Sequence, residues 1–364
     1  MDKTITYIIA VLAIISLCVA SYGVVTFQGQ INDLEGSISD LEGKLAAIDT
    51  VEGQLDAIYE QIGEYQTTIA EQQEELSEYE QVTLVDSSGN VVVLTEPPER
   101  IVSLAPSNTE MLFIVGAGDK LVGVTDFCNY PYNFAEWIES GNMSSIGSYY
   151  GPSVEPIVAL EPDLVLASSG SLEAAENLKS LGYNVLVLEA RTLDGVLQDI
   201  LLVGRATGNH LEAGIVVSEI RARIDVVANQ AAAATTTPTV YHEVWNEPLM
   251  SVGPGTFIDE MITLAGGENI FNDATTSWPQ ISSEAIIDKN PDVMFFPDMY
   301  MGVGNFYETI ETVENRPGWE SISAVQNGAL YEINADIISR SGPRLVDALE
   351  LIAKMVHPEI FGQP

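Results

Sequence analysis

Apolar positions along this chain change their period three times, and each change marks a different element. From Ile5 to Phe27 no charged residue interrupts 23 positions, enough for a helix to span a bilayer. Next, Leu34, Leu41, Ile48, Leu55, Ile62, Ile69 and Leu76 recur every seven residues, with Ile31, Ile38 and Leu45 at the second apolar heptad position. That spacing predicts a coiled-coil seam. The seam weakens where Glu52, Tyr59, Gln66 and Gln73 take the second position, and Gly29, Gly36 and Gly43 lower helix propensity on the outer face. Helical from Ile31 to Glu80, the stalk would reach roughly 75 Å at 1.5 Å per residue; the alternative is a flexible acidic tether.

Beyond about Val82 the period becomes short. Two alternating runs, VTLVD and VVVL, flank Ser-Ser-Gly-Asn and predict a hairpin, and Pro97–Pro98 then breaks the chain. Short buried strands such as RIVSL, LVGV, PDLVLA and YNVLVL alternate with helical stretches such as SLEAAENLKSLG, the pattern of a parallel doubly wound sheet. The 106–116 stretch is expected to be a helix capped by Ser107 or Asn108. His210 to Gln230 reads as one helix, with Leu211, Ile215, Ile220, Ile224 and Val227 on one side. After AAAATTTP, TVYHEV opens a second alternation of strands and helices that runs to His357.

One unit recurs about 130 residues apart. Ser153-Val-Glu155-Pro-IVALE-Pro162-Asp163-LVLA matches Ser282-Ser-Glu284-AIIDKN-Pro291-Asp292-VMFF, and in both the glutamate precedes Pro-Asp by seven residues. A serine-capped helix that stops before proline and feeds a buried strand is half of a βαβ unit. Its duplication predicts two similar α/β lobes with a cleft between them. The boundaries expected from these changes are an anchor over 1–27, a stalk over 28–81, an N-terminal lobe over 82–208, a connecting helix and linker over 209–237, and a C-terminal lobe over 238–364.

Composition narrows the partners. Against 53 acidic residues stand 14 basic ones, a formal charge of −39, which repels nucleic acid and acidic lipid headgroups. With 46% apolar content the chain can bury more than one core. Lys3 precedes the first apolar segment and an acidic body follows it, so the charge bias sets the N-terminus in the cytoplasm and the body outside. A cleaved signal is the competing reading, but the apolar stretch exceeds a signal core and no small-x-small site closes it. Lipidation at Cys18 is disfavoured because Leu17 precedes it. Cys18 and Cys128 are the only cysteines, and with one in the anchor no intramolecular disulfide is expected.

The segments IVSLAPSNTE, PIVALEPDLVLA, GGENIF, WPQIS and SGPRL, in this order over about Arg100 to Val356, resemble the substrate-binding proteins of ABC importers for metal chelates. Among these, the vitamin B12-binding proteins are the most similar in motifs, with iron-siderophore binders in the same class. The resemblance implies two Rossmann-like lobes joined by a single long helix, the class III periplasmic-binding-protein fold. It also implies that Glu155 and Glu284, at matching helix starts, dock arginines of the permease. Two anions fixed on opposite lobes would orient that docking.

For the ligand the family uses loops at the strand ends, where Phe127, Tyr149, Tyr150, Trp245, Trp278 and Arg340 fall here. Aromatic faces suit a corrin, and polar tips suit its amide groups. One departure is Ser168, where some B12-binding relatives carry an aromatic. Catecholate siderophores call for clustered arginines, and only Arg191 and Arg340 sit on candidate cleft loops; a corrinoid or a neutral ferric hydroxamate fits better.

Other classes have less support. Bare-metal capture needs clustered ligands, but His210, His242 and His357 are scattered. No GxSxG, HExxH or phosphate loop points to an enzyme, and no cofactor beyond a transported cobalt corrinoid or ferric chelate is expected. A surface sensor acting through a partner is a further alternative, although four residues before the anchor hold no output domain. The expected partners are therefore a permease with its ATPase, a small metal chelate, the membrane through the first helix, and a second copy through the coiled coil.

Overall fold

A computed structural model of the chain describes residues 36, 39, 61–63, 65–67, 81–298 and 309–364. Residues 1–80 and 81–364 form separate compact units. The described residues of the first unit are helical. The expected anchor over Ile5–Phe27 lies outside the described residues, as does most of the heptad seam. Among the described residues no helix is long and apolar enough to cross a membrane.

The second unit opens on the antiparallel hairpin β1 (Val82–Val85) and β2 (Val91–Leu94). Asp86 closes its turn by accepting from the Ser88 and Asn90 backbone N–H groups at 3.0 and 2.8 Å. The same carboxylate accepts from Val187 N–H at 3.1 Å, so one buried acid both shapes the turn and seats the hairpin on the sheet that follows.

That sheet holds β3 (Ile101–Ser103), β4 (Leu121–Val124), β5 (Ser144–Ser145), β6 (Leu164–Ala167) and β7 (Val185–Val187), in the spatial order β5-β4-β3-β6-β7 and parallel throughout. The second sheet holds β8 (Thr239–Asn246), β9 (Leu249–Ser251), β10 (Glu268–Asn269), β11 (Val293–Pro297) and β12 (Leu330–Ile333). Its order is β10-β8-β11-β12, all parallel, and β9 turns back antiparallel along β8. Between the sheets runs one helix, His210–Ala231.

Continuous apolar strands predict burial on both faces, and the pleat sorts their side chains accordingly. Ile101, Leu164, Leu166, Leu186, Val240, Val293, Phe295 and Ile333 point into one core that also takes Ala213, Val217 and Ile220 of the connecting helix. Their neighbours Val102, Val165, Ala167, Val185 and Val187 fill a separate core on the far face of the first sheet. Tyr241, Met294, Phe296 and Trp319 do the same for the second.

Helix Leu193–Thr207 is capped by Thr192 Oγ1, which accepts from Gly195 N–H at 3.0 Å, and it ends on left-handed Gly208. It crosses the connecting helix so closely that a Cβ at Gly204 would lie 2.3 Å from Ala213 Cβ. Helix Leu345–Val356 returns across the connector, where Arg223 binds Glu350 at 2.8 Å and Asp347 at 2.6 Å.

Candidate interlobe binding site

The duplicated motif forms the same structure twice. Glu155 lies in the first turn of helix Val154–Val158 and Glu284 in that of Ser283–Lys289, and both are exposed. Ser282 Oγ caps the second helix by accepting from Ala285 N–H at 3.2 Å, whereas the Ser153 side chain makes no capping bond. In both copies the residue immediately before the proline is a non-glycine at positive φ, Glu161 at 48° and Asn290 at 44°; Asn290 is the C-cap of its helix, and Glu161 lies two residues beyond the Ala159 C-cap. The aspartates then secure the sheets: Asp163 accepts from Glu99 and Arg100 N–H at 2.8 and 3.0 Å, and Asp292 from Thr239 N–H at 2.9 Å and its hydroxyl at 2.8 Å. The repeat therefore has a structural half, Pro-Asp, and an exposed half, the glutamate.

Beside Glu155 lies a 540 Å3 groove whose rim carries Ser153, Glu155 and Glu173 and whose walls include Val154 and Leu181. A cavity of 730 Å3 lies between the hairpin and helix Leu193–Thr207 and is lined by Arg191, Asp199 and Arg205. Neither contains the candidate aromatics.

Loops after β3, β4 and β12 meet, so the C-terminal ends of the two sheets face each other. Phe127 is half-buried after β4. Tyr149 and Tyr150 follow β5 and pack edge to face, with ring centroids 4.6 Å apart. Burial of the Tyr150 phenol, with Tyr149 beside it, raises its pKa above the usual value. Tyr149 also packs against the turn after β6, where a Cβ on Gly170 would come within 2.6 Å of the ring. The ring thus covers the turn opened by Ser168, the position at which some of the proteins it resembles carry an aromatic.

On the second lobe, Trp245 sits inside β8 instead of on a loop, and its indole N–H donates to the Glu247 carbonyl at 2.8 Å. Trp278 lies in a bend, as the sequence suggests, and the backbone on both sides of it is tied down. Gly253 N–H donates to Ser277 O at 2.8 Å, Ser251 N–H to Pro279 O at 3.1 Å, and an isolated bridge pairs Met250 with Gln280, so the bend is anchored along β9 while the indole stays 43% exposed.

Arg340 has a different setting from an open cleft arginine. Its guanidinium donates to Glu110 at 3.1 Å, to Asn129 Oδ1 at 2.8 Å and to the Phe127 carbonyl at 3.3 Å, and pairs with Asp336 at 2.5 Å. Arg344 joins it, binding both Glu110 oxygens at 2.7 and 2.9 Å while its guanidinium lies 4.2 Å from the Tyr130 ring centroid. Glu110 is 2% exposed. Sequence reasoning passed over it, although a lone acid on the buried side of an apolar helix, inside the quoted IVSLAPSNTE segment, was the available signal. That helix spans Pro106–Ile114 with Ala105 as its N-cap, so Ser107 and Asn108 lie inside it and not at its cap. Arg191, the other cleft-loop arginine, pairs with Glu189 at 3.4 Å.

Residues 101–337 match the family model for periplasmic binding protein. This chain belongs to the periplasmic binding protein family. It is 33% identical over 290 residues, 78% of this chain and 87% of the relative, to the "Uncharacterized ABC transporter substrate-binding lipoprotein YvrC" of Bacillus subtilis. To a "Cobalamin-binding protein" of Halobacterium salinarum it is 31% identical over 285 residues, 76% of this chain and 74% of that one. Among solved structures, the periplasmic vitamin B12 binding protein BtuF of Vibrio cholerae superposes with a TM-score of 0.60 at 27% identity, covering 74% of this chain and 99% of that chain. Two parallel sheets joined by one helix are the class III fold that the sequence motifs implied.

Proposed function

We propose that this periplasmic binding protein is the extracytoplasmic receptor of an ABC importer, that it captures a corrinoid between its two lobes, and that it delivers it to a permease. The observation that carries the reading is the set of aromatic side chains beyond the strand ends of both lobes: Phe127 after β4, Tyr149 and Tyr150 after β5, Trp245 at the end of β8 and Trp278 in the bend beyond β10. Rings held on rigid backbone offer flat apolar faces at low entropic cost, and the Tyr149 and Tyr150 hydroxyls add polar tips suited to amide groups. Arginine supply argues against an anionic chelate, because Arg340 is bound by protein groups and Arg191 by Glu189. A ferric hydroxamate, also neutral, is the second reading on the same grounds. The chain itself performs no chemistry on the ligand in either reading.

Exposed glutamates at matching helix starts support docking of each lobe on a cationic permease surface, with Glu155 and Glu284 making the contacts. We assign Ile5–Phe27 as a retained membrane anchor and the following heptads as a stalk that self-associates and lifts the binding unit from the bilayer.

Calorimetric titration of the full-length chain with cyanocobalamin and, separately, with a ferric hydroxamate tests the ligand. Tight cobalamin binding that falls at least tenfold in Trp278→Ala is expected; binding of the hydroxamate alone would replace the corrinoid. In transport assays Glu155→Ala/Glu284→Ala should abolish uptake with ligand affinity intact, and a loss of affinity would remove the docking role.

A further inference from the structure

Inside the interlobe contact, one carboxylate with almost no solvent exposure holds two cations from the opposite lobe. Glu110 comes from the helix after β3, whereas Arg340 and Arg344 come from the segment after β12. Buried charge is costly unless it is paired and fully hydrogen-bonded, and here it is: Arg344 grips both Glu110 oxygens, Arg340 takes Oε1, and Asp336 supplies the second anion. Two acids balance two bases. Gly342 of the same segment packs beside Ser107 and Glu110, where an added Cβ would be in ordinary contact at 3.4–3.6 Å.

The same cluster holds the loop after β4. Arg340 donates to the Phe127 carbonyl and to Asn129 Oδ1, Asn129 Nδ2 donates to Asp336 at 2.7 Å, and Arg344 covers the Tyr130 ring. Three residues of one N-lobe loop, 127, 129 and 130, are therefore fixed by side chains of the C-lobe. At the far edge of the first sheet, after β7, a second polar tie joins the lobes: Leu193 N–H donates to Glu260 Oε2 at 2.8 Å.

From this geometry we infer that Glu110, Arg340 and Arg344 form a positioning centre that sets the spacing of the lobes and seats Phe127 toward the ligand. The inference rests on the interlobe ligand reading for its functional effect, but not for its structural one. Arg340 is in this account a positioning residue, acting on the ligand through the 127–130 loop.

Two measurements on the full-length chain separate the possibilities. The first needs no ligand: hydrogen exchange of amides 126–132 and 334–344, with 164–187 as the reference sheet, compared between wild type, Glu110→Gln and Asn129→Ala. Asn129 is exposed, so its replacement leaves the core intact even where Glu110→Gln fails to fold. At least tenfold faster exchange confined to the two loops is expected, and unchanged exchange at 126–132 in Asn129→Ala overturns the inference.

The second is a double-mutant cycle on cyanocobalamin affinity with Asn129→Ala and Phe127→Ala. Action through Phe127 predicts that Asn129→Ala weakens binding severalfold alone and adds little in the Phe127→Ala background; additive losses would overturn it. A wild type that binds no corrinoid refutes the proposed ligand, and the exchange result then decides the positioning centre by itself.

Discussion

Asp199 and His242 are buried ionisable side chains displaced in opposite directions by the same cause. Burial raises the Asp199 carboxyl to about 7 from its ordinary 3.8, with the neighbouring Asp86 adding to the rise, and lowers the His242 imidazole to about 4. For Asp199 the folded state holds the proton more tightly, so stability falls as pH rises from about 4 to about 7. His242 has the reverse sign: the unfolded chain takes up the proton more readily, and stability is lost as pH falls from about 6.5 to about 4. The two slopes oppose each other across mildly acidic pH. Asp199→Asn keeps the side-chain shape and removes one of them, so the variant should gain on the order of 4 kcal/mol over wild type at pH 8 and almost nothing at pH 4, as read from urea unfolding at both. An equal gain at both pH values would mean that ionisation is not the cause.

Helices of the repeated motif show how an element can keep its sequence spacing and still bear strain. Seven residues from glutamate to Pro-Asp leave room for a short helix and one residue that must turn left-handed before the proline. Asparagine tolerates that conformation better than glutamate, and here the Asn290 side chain is also held by Ser323. Glu161→Gly should therefore stabilise the protein by about 0.5–1 kcal/mol, whereas Asn290→Gly should destabilise it because it removes two 2.8 Å side-chain bonds to Ser323, both measured by denaturant midpoint. A destabilised Glu161→Gly would show that its side chain makes a compensating contact. The Ser-Glu-Pro-Asp spacing was legible in the sequence because it is set by chain geometry within a dozen residues. The two-residue edge strands β5 and β10 were not, since two residues carry no period, and nor was the anchoring of the Trp278 bend along β9, which lies almost thirty residues away.

For the binding unit as a whole, the core that joins both sheets to the connecting helix decides how the lobes behave. Ile101 and Leu164 of one sheet, Val240 and Phe295 of the other, and Val217 of the connector belong to one continuous apolar cluster, reinforced by Arg223 with Asp347 and Glu350. Hydrogen bonds that Arg223 donates to both carboxylates raise its guanidinium above its ordinary value, and those to Glu350 lower that carboxyl below its own. A shared core couples the lobes, and residues 81–364 should unfold in one transition, with tryptophan fluorescence and far-UV dichroism giving the same midpoint; separated midpoints would mean independent lobes. The sequence by itself determined the two α/β lobes, the single connecting helix and the paired glutamates, because hydrophobic period and local spacing are properties of contiguous chain. Tertiary structure alone decided that Arg340 serves the lobe contact, that Tyr149 covers the turn after β6, and that Glu110 is buried between two arginines. Those partners are separated by 21 to more than 230 positions, and no local pattern specifies which distant charge or ring a side chain will meet.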